Sequence, residues 1–268
     1  MTSPLVLSYG GGVNSTALLV GMRERGIRPD LILFSDTGGE HSRTYETIRS
    51  MSIWCERELG LPITTISNAI RPADQDPAPH ASLEEECHTN VTLPSLAFGN
   101  KGCSARWKRQ PMDRYLRDWQ PAIDAWAAGG KVTRWLGIDA DEAHRSAELC
   151  SDTHKKWIYH RPLLDWDWGR DECVAACERA LGSAPGKSAC WFCPAMKKRE
   201  VLELARTDPD LFARAVAMER NAAPNLGTVR GLGRNWSWER LVKADLAQLK
   251  LFPEAPELDC GCYDGEQE

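Results

Sequence analysis

Short apolar runs alternate with amphipathic stretches along the first quarter of the chain. The runs at residues 5–9, 31–34 and 63–66 predict three buried strands, and the stretches at 14–26 and 41–59 predict the helices between them. Because right-handed crossovers place successive strands of this kind side by side, the pattern predicts one parallel sheet.

The rest of the chain is more helical. Between residues 68 and 102 the periodicity fades and prolines interrupt it, which indicates a long irregular insertion with one short helix. A helix at about 112–128 and a strand at 132–138 follow, and beyond residue 157 helices are predicted at 170–182, 194–206, 208–220 and 236–249. We therefore expect an α/β protein with a doubly wound, mostly parallel, Rossmann-like sheet in residues 1–165 and a mainly helical C-terminal region in 166–268.

Composition narrows the class of protein. The 268 residues are 42% hydrophobic and 26% charged, and no apolar segment reaches membrane-spanning length. No secretory signal is visible, so we expect a cytoplasmic protein without membrane contact, whose ten cysteines hold metal or do redox work rather than form disulfides. The net charge of −5 argues against tight non-specific nucleic-acid binding but leaves room for a local basic patch. Such a cluster is formed by Lys101, Arg106, Lys108 and Arg109.

Three glycines follow the first predicted strand directly. Gly10, Gly11 and Gly12 would let backbone N–H groups approach an anion at the positive end of the next helix. The predicted ligand is a phosphate, and the alternative is an ordinary tight turn. No lysine follows as in a Walker A loop, and the spacing is not that of a dinucleotide fingerprint. A second loop, residues 35–39, opens after the next strand at the same edge of the sheet, where ligands of parallel sheets bind.

Two pairs of cysteines have informative spacings. Cys190 and Cys193 form a C-x-x-C pair typical of metal sites, and Pro194 is expected to start the next helix. Cys173 and Cys177 share one helical face and are predicted to lie in the core.

Four segments, taken together, resemble one protein family. The run from Gly10 to Thr16 resembles the SGGxDS/T loop of the ATP pyrophosphatase (PP-loop, adenine nucleotide alpha hydrolase) superfamily. The segments 36–45, 103–111 and 137–145 follow in the order found in its phosphoadenylyl-sulfate (PAPS) reductase-like branch. Asn14 stands where the family has Asp, and Asp139 where it usually has Arg, so Gly137, Glu142 and Arg145 carry over from the last segment.

The resemblance implies a site for ATP and Mg²⁺. Lys108 and Arg145 would neutralise developing phosphate charge. The nucleotide would be held by Gly10, Gly11, Gly12, Asn14, Ser15, Thr16, Asp36, Thr37, Gly38, Gly137 and Glu142. The resemblance also makes Cys103 the third ligand beside Cys190 and Cys193, for a [4Fe–4S] cluster or, alternatively, zinc. The fourth position would be an open iron that carries sulfur, or another cysteine.

Three functions are compatible with this site. The leading hypothesis is an enzyme that adenylates an acceptor with ATP and replaces AMP by sulfur. Its partners would be an adenine nucleotide, a sulfur donor or thiol reductant, and an acceptor such as tRNA, DNA or a small metabolite. The second is a PAPS or adenylyl-sulfate reductase, because the tail around Cys260 and Cys262 resembles the family's nucleophile-bearing ending. The third is a nucleotide-binding subunit without turnover.

Overall fold

A five-stranded parallel sheet forms the centre of the molecule. The structure is a computed structural model that describes residues 3–69, 78–145 and 155–251. The strands are β1 (Leu5–Tyr9), β2 (Leu31–Asp36), β3 (Thr64–Ser67), β4 (Val132–Leu136) and β5 (Trp157–His160). They lie in the order β3-β2-β1-β4-β5, and all four neighbouring pairs are parallel. The predicted α/β class with a parallel sheet is confirmed.

Helices connect the strands and make up most of the described C-terminal part. They are α1 (Val13–Glu24), α2 (Ser42–Leu59), α3 (Leu83–Thr89), α4 (Gly102–Ser104), α5 (Gln110–Asp118), α6 (Gln120–Ala127), α7 (Pro162–Asp165), α8 (Arg170–Leu181), α9 (Lys198–Thr207), α10 (Pro209–Ala222) and α11 (Trp238–Leu251). A π-helical turn, Ala105–Arg109, joins α4 to α5, and 3₁₀ turns span Ser95–Phe98, Ala140–Arg145 and Ala223–Asn225. Among the described residues no helix has the length and apolar character that a bilayer crossing requires.

Both faces of the sheet are covered, so the sheet is doubly wound. On one face Leu7, Ile32 and Phe34 pack in a core with α1, α2 and α8. On the other face the alternate residues, such as Val6 and Leu33, pack with α5 and α6. This alternation follows from the two-residue period of a strand, which sends successive side chains to opposite faces. The cysteines predicted to be in the core, Cys173 and Cys177, are fully buried in the first of these cores.

A third core joins the C-terminal helices to the insertion. Residues of α9, α10 and α11 pack with α3 and with Trp107, Trp191 and Phe192. The preceding helix α8 packs instead on α1 in the core of the sheet. The division of the chain at residue 165 stays a prediction.

Two predicted helices differ from the observed ones, and one observed strand was not predicted. The helix expected at 112–128 is divided into α5 and α6, because Trp119 is extended (φ −82°, ψ 116°) and Pro121 lacks the N–H that a continuous helix needs. The edge strand β5 was not predicted, because its four residues, Trp157–His160, are too short a segment to give a clear strand pattern. The prediction that Pro194 starts a helix was wrong: α9 begins at Lys198, where the carboxylate of Glu200 accepts the N–H of Lys197 at 2.6 Å.

Candidate site for a nucleotide and thiols

The glycine loop is tightly enclosed by neighbouring segments. Gly11 has φ +74°, and a Cβ there would lie 3.1 Å from Thr44 Cγ2. A Cβ on Gly12 would lie 2.8 Å from Ser188 Oγ, two residues before Cys190. Gly12 therefore lies against the segment that carries the C-x-x-C pair, and a larger residue there would push that segment away, whereas a larger residue at Gly11 would press on α2.

The N-terminus of α1 presents backbone N–H donors that have no acceptor among the described residues. The N-cap residue Gly12 offers no side chain, and the first turn contains no acidic residue. Within the described part of the chain, the N–H groups of Val13, Asn14 and Ser15 meet no protein acceptor. These donors, together with the helix dipole, favour a bound anion.

The side chains of Ser15 and Thr16 hold the shape of the loop. Ser15 Oγ accepts the N–H of Gly10 at 3.2 Å and donates to the Gly12 carbonyl at 3.1 Å. Thr16 is fully buried, its hydroxyl lies 3.0 Å from that of Tyr9, and its N–H donates to the Gly12 carbonyl at 3.1 Å. The structure thus places Thr16 in the core beneath the loop, and Ser15 presents its backbone N–H rather than its hydroxyl to a ligand.

The second loop lies between the insertion and the C-x-x-C segment. Asp36 Oδ1 accepts the N–H of Gly38 and the hydroxyl of Tyr45, both at 2.8 Å. Gly38 has φ +70° and lies against Ser82, where an added Cβ would come within 2.6 Å of its Cβ. A Cβ on Gly39 would approach the ring of Phe192 to 2.5 Å. The carboxylate of Asp36 is therefore fixed by its own loop, and the backbone of the loop has no room for larger residues.

An ion pair between a half-buried lysine and a fully buried carboxylate lies beside this second loop. The Glu40 side chain has no exposed surface, and Glu40 Oε1 accepts Lys108 Nζ at 3.0 Å and Thr37 Oγ1 at 3.3 Å. The other carboxylate oxygen, Oε2, is buried without a hydrogen-bond partner in the described part of the chain. Burial alone would lower the pKa of Lys108, but the charge of Glu40 and its hydrogen bond outweigh it and raise that pKa. Lys108 is therefore cationic at neutral pH. Another residue of the basic cluster, Arg106, pairs with Glu86.

The three cysteines of the predicted metal site share one neighbourhood. Cys190 Sγ lies 3.2 Å from Thr37 Oγ1 and 3.9 Å from Glu40 Oε1. Burial raises the pKa of Cys193, and the charge of Cys103 raises it further. Burial also raises the pKa of Cys190, with Glu40 and Cys193 adding to the shift. Cys103 and Cys190 pack against the third core, and the described residues contain no group of three or more His, Cys, Asp or Glu arranged to hold a metal ion.

The end of β4 approaches the first turn of α1. A Cβ on Gly137 would lie 2.8 Å from the Cα and the N of Ser15. Asn14 Nδ2 donates to Asp139 Oδ2 at 2.8 Å, and Asn14 Oδ1 accepts Arg170 Nη1 at 3.2 Å. Asn14 and Asp139, which both depart from the residues usual in the resembled family, therefore bind each other. Sequence reasoning missed Arg170, which lies 156 residues from Asn14 in a helix with no motif of its own.

The structure describes the remaining predicted site residues only in part. Asp139 Oδ1 accepts the N–H of Glu142 at 2.9 Å, which places Glu142 beside the glycine loop. Arg145 ends the 3₁₀ turn after β4, and its side chain is outside the described part of the structure. Cys260 and Cys262 also lie outside the described residues.

Comparison with known proteins adds a distant likeness in structure. No protein-family model matches the sequence, and a comparison with curated proteins gives no match. Among solved structures, the chain is similar to "U34-tRNA thiolase NcsA from Methanococcus maripaludis with its [4Fe-4S] cluster". The two are 13% identical with a TM-score of 0.42, over 98% of this chain and 76% of that one. A likeness of this size carries no argument about function, so the functional assignment rests on the residues of the site itself.

Proposed function

We propose that the protein is an ATP-dependent enzyme that adenylates an acceptor and prepares it for sulfur transfer. One observation carries this proposal: Ser188, two residues before Cys190, lies directly against Gly12. The N-terminus of α1 and the thiol pair would thereby belong to one site, which is the arrangement that phosphate chemistry followed by sulfur chemistry needs.

The proposed nucleotide site uses the two loops and Lys108. The N–H groups of Val13, Asn14 and Ser15 would bind the β- and γ-phosphates, and the loop around Asp36 would receive the adenosine. Lys108 would offset negative charge at the α-phosphate. Attack by an acceptor oxygen on that phosphorus forms a new P–O bond and breaks the bond to the leaving pyrophosphate. A sulfur nucleophile then displaces AMP from the acceptor.

Cys103, Cys190 and Cys193 would supply the thiolates of a soft metal centre: the charge of Cys103 acts on Cys193 and that of Cys193 on Cys190, and metal binding would require the three sulfurs to close around the ion. These cysteines would hold an iron–sulfur cluster, which supplies sulfide chemistry when bound. Thr37 and Glu40 contact Cys190 and fix the position of its sulfur. Mg²⁺ would accompany the pyrophosphate as its counter-ion.

The product of ATP cleavage tests the proposed function. Incubation with ATP labelled at the α- or γ-phosphate, in the presence of tRNA, DNA or small oxygen nucleophiles, is expected to give AMP and pyrophosphate in equal amounts. Thin-layer separation of the labelled products distinguishes them from ADP and phosphate. Formation of ADP, or binding of ATP without turnover across all acceptors, would contradict an adenylating enzyme.

Metal analysis tests the thiol site separately. Protein purified without oxygen is expected to contain about four iron and four sulfide per chain and to be brown. Replacing Cys103, Cys190 or Cys193 by serine removes a thiolate and should lower the iron content of each variant several-fold, as measured by elemental analysis and absorption spectroscopy. Cys55→Ala, in the buried face of α2, is the matched control and should retain the metal. A colourless protein with one zinc per chain would overturn the cluster assignment.

A further inference from the structure

Arg170 is a cation held at the edge of the glycine loop. It is the first residue of α8, it is exposed, and its Nη1 donates to Asn14 Oδ1. Asn14 Nδ2 donates to Asp139, which is 2% exposed, so the side-chain amide has one orientation and its oxygen faces Arg170. The position of the guanidinium is therefore tied to the first turn of α1.

Within the described residues, the carboxylates around Arg170 accept hydrogen bonds from neutral groups rather than from its guanidinium. Each nearby carboxylate binds another group: Asp139 binds Asn14 and the N–H of Glu142, Asp141 Oδ2 accepts the backbone N–H of Arg170 at 2.7 Å, and Glu172 Oε2 accepts the N–H of Gly169 at 3.0 Å. In contrast, Arg179 at the other end of α8 pairs with Glu24 at 3.2 Å. Within the described ranges, the guanidinium of Arg170 makes no ion pair.

We propose that Arg170 binds the β- or γ-phosphate of the nucleotide held by the glycine loop. A guanidinium presents several N–H donors in one plane, which matches the paired oxygens of a phosphate. Its donors would complete the ring of backbone N–H groups at Val13, Asn14 and Ser15. This inference rests on the proposed function to the extent that the loop must bind a nucleotide.

Equilibrium binding to Arg170→Gln and to the control Arg179→Gln tests the proposal. Both variants lose one exposed guanidinium from the same helix, and only the first loses it at the loop. Loss of one charge-assisted hydrogen-bond pair is expected to weaken ATP and inorganic pyrophosphate binding to Arg170→Gln about tenfold. AMP binding should change less than about twofold, because AMP lacks the outer phosphates, and Arg179→Gln should bind all three ligands as the wild type does. Circular dichroism checks that both variants fold.

The outcomes separate the two proposals. Wild-type protein that binds ATP, together with an Arg170→Gln variant that binds it equally well, overturns the role of Arg170 and leaves the proposed function standing. An equal loss of AMP and ATP binding also overturns it, because the contact would then lie nearer the nucleoside. Wild-type protein that binds neither ATP nor pyrophosphate overturns both proposals.

Discussion

The variant Gly137→Ala is expected to lose nucleotide binding while the protein remains folded. The added Cβ would lie 2.8 Å from Cα and N of Ser15 and 2.9 Å from the carbonyl carbon of Asn14. All three are backbone atoms, so no side-chain rotation relieves the contact and the first turn of α1 must move. Moving these N–H groups away from a bound phosphate costs about two charge-assisted hydrogen bonds, and we expect ATP affinity to fall about 100-fold.

Isothermal titration with ATP measures this effect, and thermal unfolding measures the accompanying loss of stability, about 1–3 kcal/mol for an overpacked contact. Gly186→Ala is the matched control, because a Cβ there would lie at an ordinary 3.8 Å from Arg43 Cδ. Its affinity and stability should equal those of the wild type. Wild-type affinity in Gly137→Ala would show that the first turn of α1 does not bind the nucleotide.

The variant Glu219→Ala is expected to destabilise the packing of the C-terminal helices α10 and α11. The Glu219 carboxylate is buried and accepts four hydrogen bonds: the N–H of Leu232 at 2.7 Å, the hydroxyl of Ser237 at 2.8 Å, and the N–H groups of Trp238 and Glu239 at 3.0 and 3.4 Å. It thereby binds the N-terminus of α11 from the side of α10. Removing it leaves several buried donors without an acceptor, and we expect the free energy of unfolding to fall by about 4 kcal/mol.

Urea unfolding followed by tryptophan fluorescence measures this loss, because Trp238 is fully buried beside the carboxylate. Glu219→Gln keeps one oxygen acceptor and should lose roughly half as much stability. Glu203→Gln changes an exposed residue of α9 and should stay within about 0.5 kcal/mol of the wild type. An unfolding midpoint of Glu219→Ala equal to that of Glu203→Gln would contradict the role of the buried carboxylate.

Local sequence signals were sufficient for the order of elements in the first half of the fold. The strands β1 and β2 are apolar runs buried on both faces, and α2 ends at Gly60 in the left-handed conformation that glycine favours. The edge strand β5 carries a weaker signal because one side lacks a neighbouring strand, and Ile158 is 47% exposed. Its four residues adopt the strand conformation because they pair with β4, and their own sequence has no strong preference for a strand.

The sequence was sufficient to predict the local motifs of the candidate site but not the contacts between distant residues. The glycine loop and the C-x-x-C pair are compact motifs, and the structure brings them into contact through Ser188. The burial of Glu40 against Lys108 and the link from Asn14 to Arg170 depend on residues 68 and 156 positions apart, which no local pattern records. Such pairs become visible only once the sheet fixes which loops share an edge.

Backbone hydrogen bonds join residues 189–191, around Cys190, to the second loop. The N–H of Trp191 donates to the Gly39 carbonyl at 3.0 Å, and that of His41 donates to the Ala189 carbonyl at 3.2 Å, in an isolated antiparallel bridge. Because Ser188 lies against Gly12, residues 188–191 contact both the glycine loop and the second loop. In the proposed function, a movement of Cys190 on metal binding would be transmitted to the glycine loop, and by thermodynamic reciprocity a bound nucleotide would change the affinity of the thiols for metal by the same factor.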